Sequence, residues 1–177
     1  MKRQYSPLRA TEDRRLHGRA LFVIDIENMV GSCRLDVADV ARTRTRIHAA
    51  VNLGAGDHTV IAASHYNAEA AYFGWAGPAQ RLARSGKDGA DLALLEVIDD
   101  AAWVAHRYER VVLASGDHAF AYAVAALKAA GVQVLVIPPD TGFSPQMRLV
   151  AGPDVARLGS PLPANVISLF RATKDVA

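Results

Sequence analysis

A chain of 177 residues, 51% hydrophobic and 21% charged, is long enough for one domain with a substantial core and too apolar to be intrinsically disordered. The net charge of +2 argues neither for nor against a nucleic-acid partner. Cys33 is the single cysteine, which excludes an intrachain disulfide and a thiolate zinc cluster.

Residues 1–19 are polar and charged without periodicity and read as a basic N-terminal extension with Lys2, Arg3, Arg9, Arg14, Arg15 and Arg19. Arg42, Arg44 and Arg46 make a second basic run. Either run contacts phosphates or is simply a solvated tail and helix face. Residues 20–25 are continuously apolar up to Asp25, as expected of a strand covered on both faces. A helix is expected over 36–53, with Val37, Val40, Ala41, Ile47 and Val51 on one face and Gly54-Ala55-Gly56 ending it. Residues 59–64 form the next strand, 68–75 a short helix and 80–84 a third strand. One long helix is expected over 91–107, with Leu92, Leu95, Ile98 and Ala102 spaced for burial. Residues 110–115 and 133–138 read as strands separated by a small-residue helix over 118–130. Beyond Pro139 the chain is rich in Pro and Gly and is expected to be mostly loop, with a last short element over 166–170.

Strands alternating with helices at this spacing predict a three-layer α/β/α fold around a mainly parallel sheet of about five strands. Asp25 interrupts the first apolar run, so nothing there reads as a secretory signal. No apolar stretch approaches the ~20 residues of a membrane helix, and a cytoplasmic protein is expected.

Three acidic segments fall where strands end or helices begin. Asp25, Glu27 and Asn28 follow the first strand, Lys87, Asp88 and Asp91 precede the long helix, and Ser115-Gly116-Asp117 follow the fourth strand. In a parallel α/β sheet these ends share one edge, where ligands bind. Carboxylates gathered there would repel by ~4 kcal/mol per pair at ~4 Å and a dielectric of ~20 unless a cation or proton intervenes. Each residue also has a plainer reading. Asp25 is either a crevice carboxylate or an N-cap, and Asp91 either a ligand or an acid favoured by the helix dipole. Glu27 is a ligand, a supporting group or exposed. Asn28 orients Asp25 or bridges neighbouring loops. Lys87 holds a phosphate or is solvated, and His118 is a ligand, a proton donor or a packed first-turn residue. His65 falls near the same edge with nothing to tie it to the others. No G-x-G-x-x-G, Walker lysine motif, G-x-S-x-G elbow or zinc-spaced histidine pair is present.

Asp25 to Asn28 as Asp-x-x-Asn, Lys87 to Asp91 as Lys-x-Gly-x-Asp, and Ser115-Gly116-Asp117 with Phe120 nearby together resemble the NYN branch of the PIN-like nucleases. The resemblance runs from about residue 20 to residue 138, leaving 139–177 as a loop-rich segment packing on the same domain. It implies a metal-dependent ribonuclease acting on RNA, single-stranded by expectation, with Asp25, Asp91 and Asp117 holding Mg²⁺ or Mn²⁺. Asn28 would support the first acid. Lys87 and Arg84 would contact substrate phosphate, and Ser115 and His118 would complete the substrate site. Where the family often carries a further acid, this chain has Ala119, which makes a second metal weak or absent. An RNA-binding or adaptor module with weak or lost catalysis is the alternative. A haloacid dehalogenase-type phosphatase is less favoured, because Glu27 and Ala121 stand where its acids would be. A homodimer is left open.

Overall fold

The computed structural model describes residues 18–51 and 53–160. The extension before residue 18 and the short element expected over 166–170 lie outside the described residues. In chain order the elements are β1 (Ala20–Asp25), α1 (Ile26–Val30), α2 (Val37–Ala50), β2 (His58–Ala63), α3 (Ala68–Gly74), β3 (Gln80–Ala83), α4 (Gly89–Ile98), α5 (Ala101–Arg107), β4 (Arg110–Ala114), α6 (Ala121–Ala129), β5 (Gln133–Ile137) and α7 (Pro145–Ala151). A single 3₁₀ turn, His118–Phe120, leads into α6.

The five strands form one sheet in the order β3-β2-β1-β4-β5, with every pairing parallel. Successive strand residues point to opposite faces, and both sets are apolar. Phe22, Ile24, Ile61, Val112 and Leu135 pack with α1, α2 and α3 through Met29, Val40, Ile47 and Ala71. Leu21, Val23, Val60, Val111, Leu113 and Val134 pack with α4 to α7 through Leu94, Ile98, Val104, Leu127 and Met147. The expected three-layer architecture is therefore present. From β1 the chain runs outward to β2 and β3, then crosses to β4 on the other side of β1. The carboxyl ends of β1 and β4 flank this reversal, which is where parallel sheets open a crevice.

Several local expectations are corrected. In α2 the buried residues are Val40, Thr43, Ile47 and Ala50. Val37 is 48% exposed and Ala41 is also exposed, because α3 covers the neighbouring stripe instead. There Gly74 comes so close that a Cβ would lie 2.5 Å from Val40 Cβ. The helix stops at the extended residue Val51, before the glycines.

The long helix expected over 91–107 is two helices. Asp100 breaks it by accepting the Trp103 N–H at 2.9 Å as a new N-cap. Its buried stripe is Ala90, Ala93, Leu94 and Ile98, and Leu92 faces solvent. The segment after Pro139 contains α7, opened by Ser144, whose hydroxyl accepts the Met147 N–H at 3.2 Å with Pro145 following. The residues beyond α7 add a parallel bridge between Val155 and Val136 on β5.

Candidate active site

Asp25 ends β1 at 2% exposure. One carboxyl oxygen accepts the Asn28 N–H at 3.2 Å and caps α1; the other accepts the Ser115 hydroxyl at 3.1 Å. The N-cap reading of Asp25 is thus correct, and the same carboxyl is also tied to the loop after β4. Asn28 turns its Oδ1 to the Gly116 N–H at 2.9 Å, with the Ser115 hydroxyl at 3.3 Å. It therefore staples α1 to the loop after β4.

Ser115, expected at the substrate, is instead fully buried. Its hydroxyl proton is shared between Asp25 and Asn28, and its oxygen accepts the Asp117 N–H at 3.2 Å. Gly116 follows because nothing larger fits. A Cβ there would lie 2.7 Å from the Gly142 carbonyl oxygen and 3.0 Å from Pro139 Cδ. The Gly116 carbonyl in turn accepts the Ser144 N–H at 3.0 Å, so the start of α7 holds this loop from behind.

The third acidic segment enters from α4. Asp88 adopts the left-handed conformation, φ 56°, as the residue preceding the helix, a backbone state that non-glycine residues seldom hold. Gly89 is required because a Cβ would meet the Arg84 carbonyl oxygen at 2.5 Å. This tight loop sets Asp91 in the first turn of α4, half-buried, against Asp25.

These segments line one cavity of about 230 Å³, with Asp25, Glu27, Asn28, Ser64, Asp88, Asp91 and Asp117 on its walls. Burial, and next the negative charge of Asp91, push the Asp25 carboxyl up to about 8. Burial likewise raises Asp91, with Asp117, Asp88 and Glu27 adding their charge, although its hydrogen bond to Asp25 opposes the shift. A larger cavity of about 340 Å³ lies at the amino-terminal edge, lined by Leu21, Val60, Trp103 and Tyr108 among others. Size alone would favour it, but the convergent carboxylates are in the smaller one.

Two side chains that sequence reasoning did not single out hold Glu27 in place. Its Oε1 accepts the Ser64 N–H at 3.2 Å, the Ser64 hydroxyl at 2.7 Å and the Asn67 amide. Asn67 is 3% exposed, donates also to the Cys33 carbonyl and accepts the Leu35 N–H. From sequence Asn67 is an ordinary helix N-cap, yet its side chain makes no cap bond to α3. Only the spatial proximity of two distant loops gives it a task.

The remaining expected residues stand outside the walls. Lys87 is exposed on the loop that carries Asp88. Arg84 is bound to Glu96 at 2.5 Å, both side chains well exposed. His118 pairs with Asp117 at 3.0 Å and is 72% exposed. Asp117 also accepts the Ala119 N–H at 2.8 Å. His65 is tied to the Ser85 hydroxyl at 2.6 Å, joining the ends of β2 and β3.

Among the described residues, no three carboxylate, imidazole or thiol groups already form a closed metal cage. Mg²⁺ and Mn²⁺ do not require one, since Mg²⁺ keeps several waters and is held by one or two carboxylates plus substrate phosphates. A pair of a buried Asp25 and a half-buried Asp91, held together by a proton, is the donor set such a cation fits, because the cation takes the place of that proton. Among the described residues, no helix is long and apolar enough to cross a membrane.

A family model described as the NYN domain matches residues 19–151. A crystal structure of a protein of unknown function from Vibrio parahaemolyticus superposes with a TM-score of 0.53 at 16% identity, covering 79% of this chain and 92% of that one. At this identity the likeness concerns the fold alone. No curated protein matches the sequence.

Proposed function

The chain belongs to the NYN domain family of PIN-like nucleases, and from that premise we propose that it is a metal-dependent endoribonuclease that works in the acidic cavity beyond β1 and β4. Nuclease-like domains of this family generally use divalent metals. The observation that carries the reading is the close pair of buried Asp25 and half-buried Asp91, with Asp117 on the same cavity wall. A fold holds carboxyls this close, at this cost in desolvation, where a cation compensates them.

In this reading Asp25, Asp91 and Asp117 hold one Mg²⁺ or Mn²⁺. The bound ion supplies charge neutralisation at the scissile phosphate and acidifies a water. The chain's own residues supply placement. The Ser115 hydroxyl and the Asn28 backbone N–H fix the Asp25 oxygens, and burial keeps bulk water from Asp25. Glu27, anchored by Ser64 and Asn67, adds negative charge to the wall without leaving its anchor. Lys87 meets the phosphate backbone from the loop before α4. Arg84 does the same once released by Glu96, and His118 contacts the strand beside Asp117. The substrate is RNA, cut as a single strand.

The test is cleavage of generic single-stranded RNA with Mn²⁺ or Mg²⁺ by the parent and by Asp117→Asn. The parent should cleave only with metal, and the variant should lose about 10²-fold, the scale for weakening a metal site. Undiminished cleavage by Asp117→Asn would overturn the assignment.

Ala119 favours a second reading, an RNA-binding module with weak catalysis. Exposed and placed after Asp117, it offers no oxygen where a further acid would sit. That reading requires salt-sensitive RNA binding without turnover. Tight calorimetric Mn²⁺ binding that is lost in Asp91→Asn would exclude it.

A further inference from the structure

Three aromatic side chains stand far more open than their size warrants: Tyr66 is 71% exposed, Phe73 76% and Tyr122 86%. Phe73 lies near the end of α3, outside the turn that holds Glu27, while several other rings lie under a guanidinium. Arg44 lies over Trp75, Arg107 over Trp103 and Arg148 over Phe143. Among the described residues, neither Tyr66 nor Tyr122 has a ring or guanidinium partner.

Tyr66 belongs to the turn whose Ser64 lines the acidic cavity, and Tyr122 lies just beyond the segment that carries Asp117. Tyr66 lies in the turn after β2, which closes through the Asn67 N–H on the Ser64 carbonyl at 3.0 Å. Ser64 and Asn67, at the two ends of that turn, are bonded to Glu27, and His65 within it is bonded to Ser85. The backbone under Tyr66 is therefore fixed to the site, so its ring is presented at little entropic cost. Tyr122 lies in the first turn of α6, three residues beyond Ala119 and so on the same helical face. Since β2 and β4 lie on opposite sides of β1, the segments that carry the two rings follow strands on either side of the one that ends in Asp25.

We propose that Tyr66 and Tyr122 are stacking platforms for unpaired nucleobases, holding single-stranded RNA across the acidic cavity. The identity of the polymer rests on the ribonuclease reading above. The physical reason is that an exposed ring on a rigid support stacks any base whose face is free. Paired bases in an A-form duplex are already stacked and offer no such face. Specificity for single strands then follows from the rings rather than from the acids, which would meet the phosphate only through the cation they hold.

The test is fluorescence anisotropy with a labelled single-stranded RNA of about 12 nucleotides, within the site sizes such platforms serve. Ca²⁺ is added to neutralise the acids, and a duplex of the same length is the control. Tyr66→Ala and Tyr122→Ala should each weaken single-strand binding by about 5- to 150-fold. Tyr66→Phe and Tyr122→Phe should bind like the parent, and duplex binding should not change. Thermal melts check that each variant is folded, which their exposure predicts.

Parent-like binding by both alanine variants would overturn the proposal. So would equal losses on duplex RNA, or a change in sedimentation with RNA affinity intact, which would mark the rings as a protein contact. Its fate is separable from that of the nuclease reading. Ring-dependent binding without metal-dependent cleavage keeps this inference and removes the nuclease. Cleavage with ring-independent binding does the reverse.

Discussion

Replacing Asp25 with asparagine should stabilise the metal-free protein at alkaline pH while removing its response to Mn²⁺. Asp25 is held at about 8 against an ordinary 3.8. The sign follows from linkage: the folded state binds this proton more tightly than the unfolded chain does. The parent therefore loses stability as pH rises above about 4, and the loss levels off above about 8. At ~1.4 kcal/mol per tenfold change in proton affinity the upper limit is roughly 6 kcal/mol.

Asparagine keeps an oxygen for the Asn28 N–H, and its NH₂ can face Asp91 as the protonated acid does. Imperfect fit at Ser115 absorbs part of the gain, leaving about 2–4 kcal/mol near pH 8, or a rise in Tm of about 4–16 °C. Near pH 4 the two proteins should melt alike. The assay is thermal denaturation of parent and Asp25→Asn across this pH range, with and without Mn²⁺. The parent should gain stability with Mn²⁺ by mass action, and the variant should not. A variant no more stable than the parent near pH 8, or a stability gap independent of pH, would refute the reasoning.

Other expectations follow from the loops behind the acids. Gly116→Ala should cost about 1–3 kcal/mol as its Cβ meets the Gly142 carbonyl, and should lower kcat by displacing Asp117; melting and RNA cleavage together check this. Asn67→Ala should cost about 2–4 kcal/mol in urea denaturation, because it strips three partners from a buried network. Arg84→Ala should change stability by less than about 1 kcal/mol, since its pair with Glu96 is exposed. If Arg84 meets phosphate, the same change should reduce the salt slope of RNA binding by about one.

The parts of this protein legible from sequence were those governed by local chemistry. β1 is legible to its ends because five consecutive apolar positions closed by Asp25 admit little else. The three acidic segments were legible because each sits where a strand or helix changes direction. What escaped depended on contacts between distant segments. Thr43 is buried and Val37 exposed because of where α3 lies, which no periodicity within α2 reveals. Ser64 and Asn67 acquire their task only when β2 returns beside β1. The break at Asp100 and the start of α7 at Ser144 were written locally, as cap residues. Apolar spacing masks the cap in the first case, and Pro and Gly content masks it in the second.

The most direct measurement is anomalous diffraction from a crystal of the protein soaked in Mn²⁺. The account predicts a single manganese peak in contact with carboxylate oxygens of Asp25, Asp91 and Asp117, and no peak there in Asp91→Asn. A well-ordered cavity with no manganese, or manganese bound only elsewhere, would contradict it.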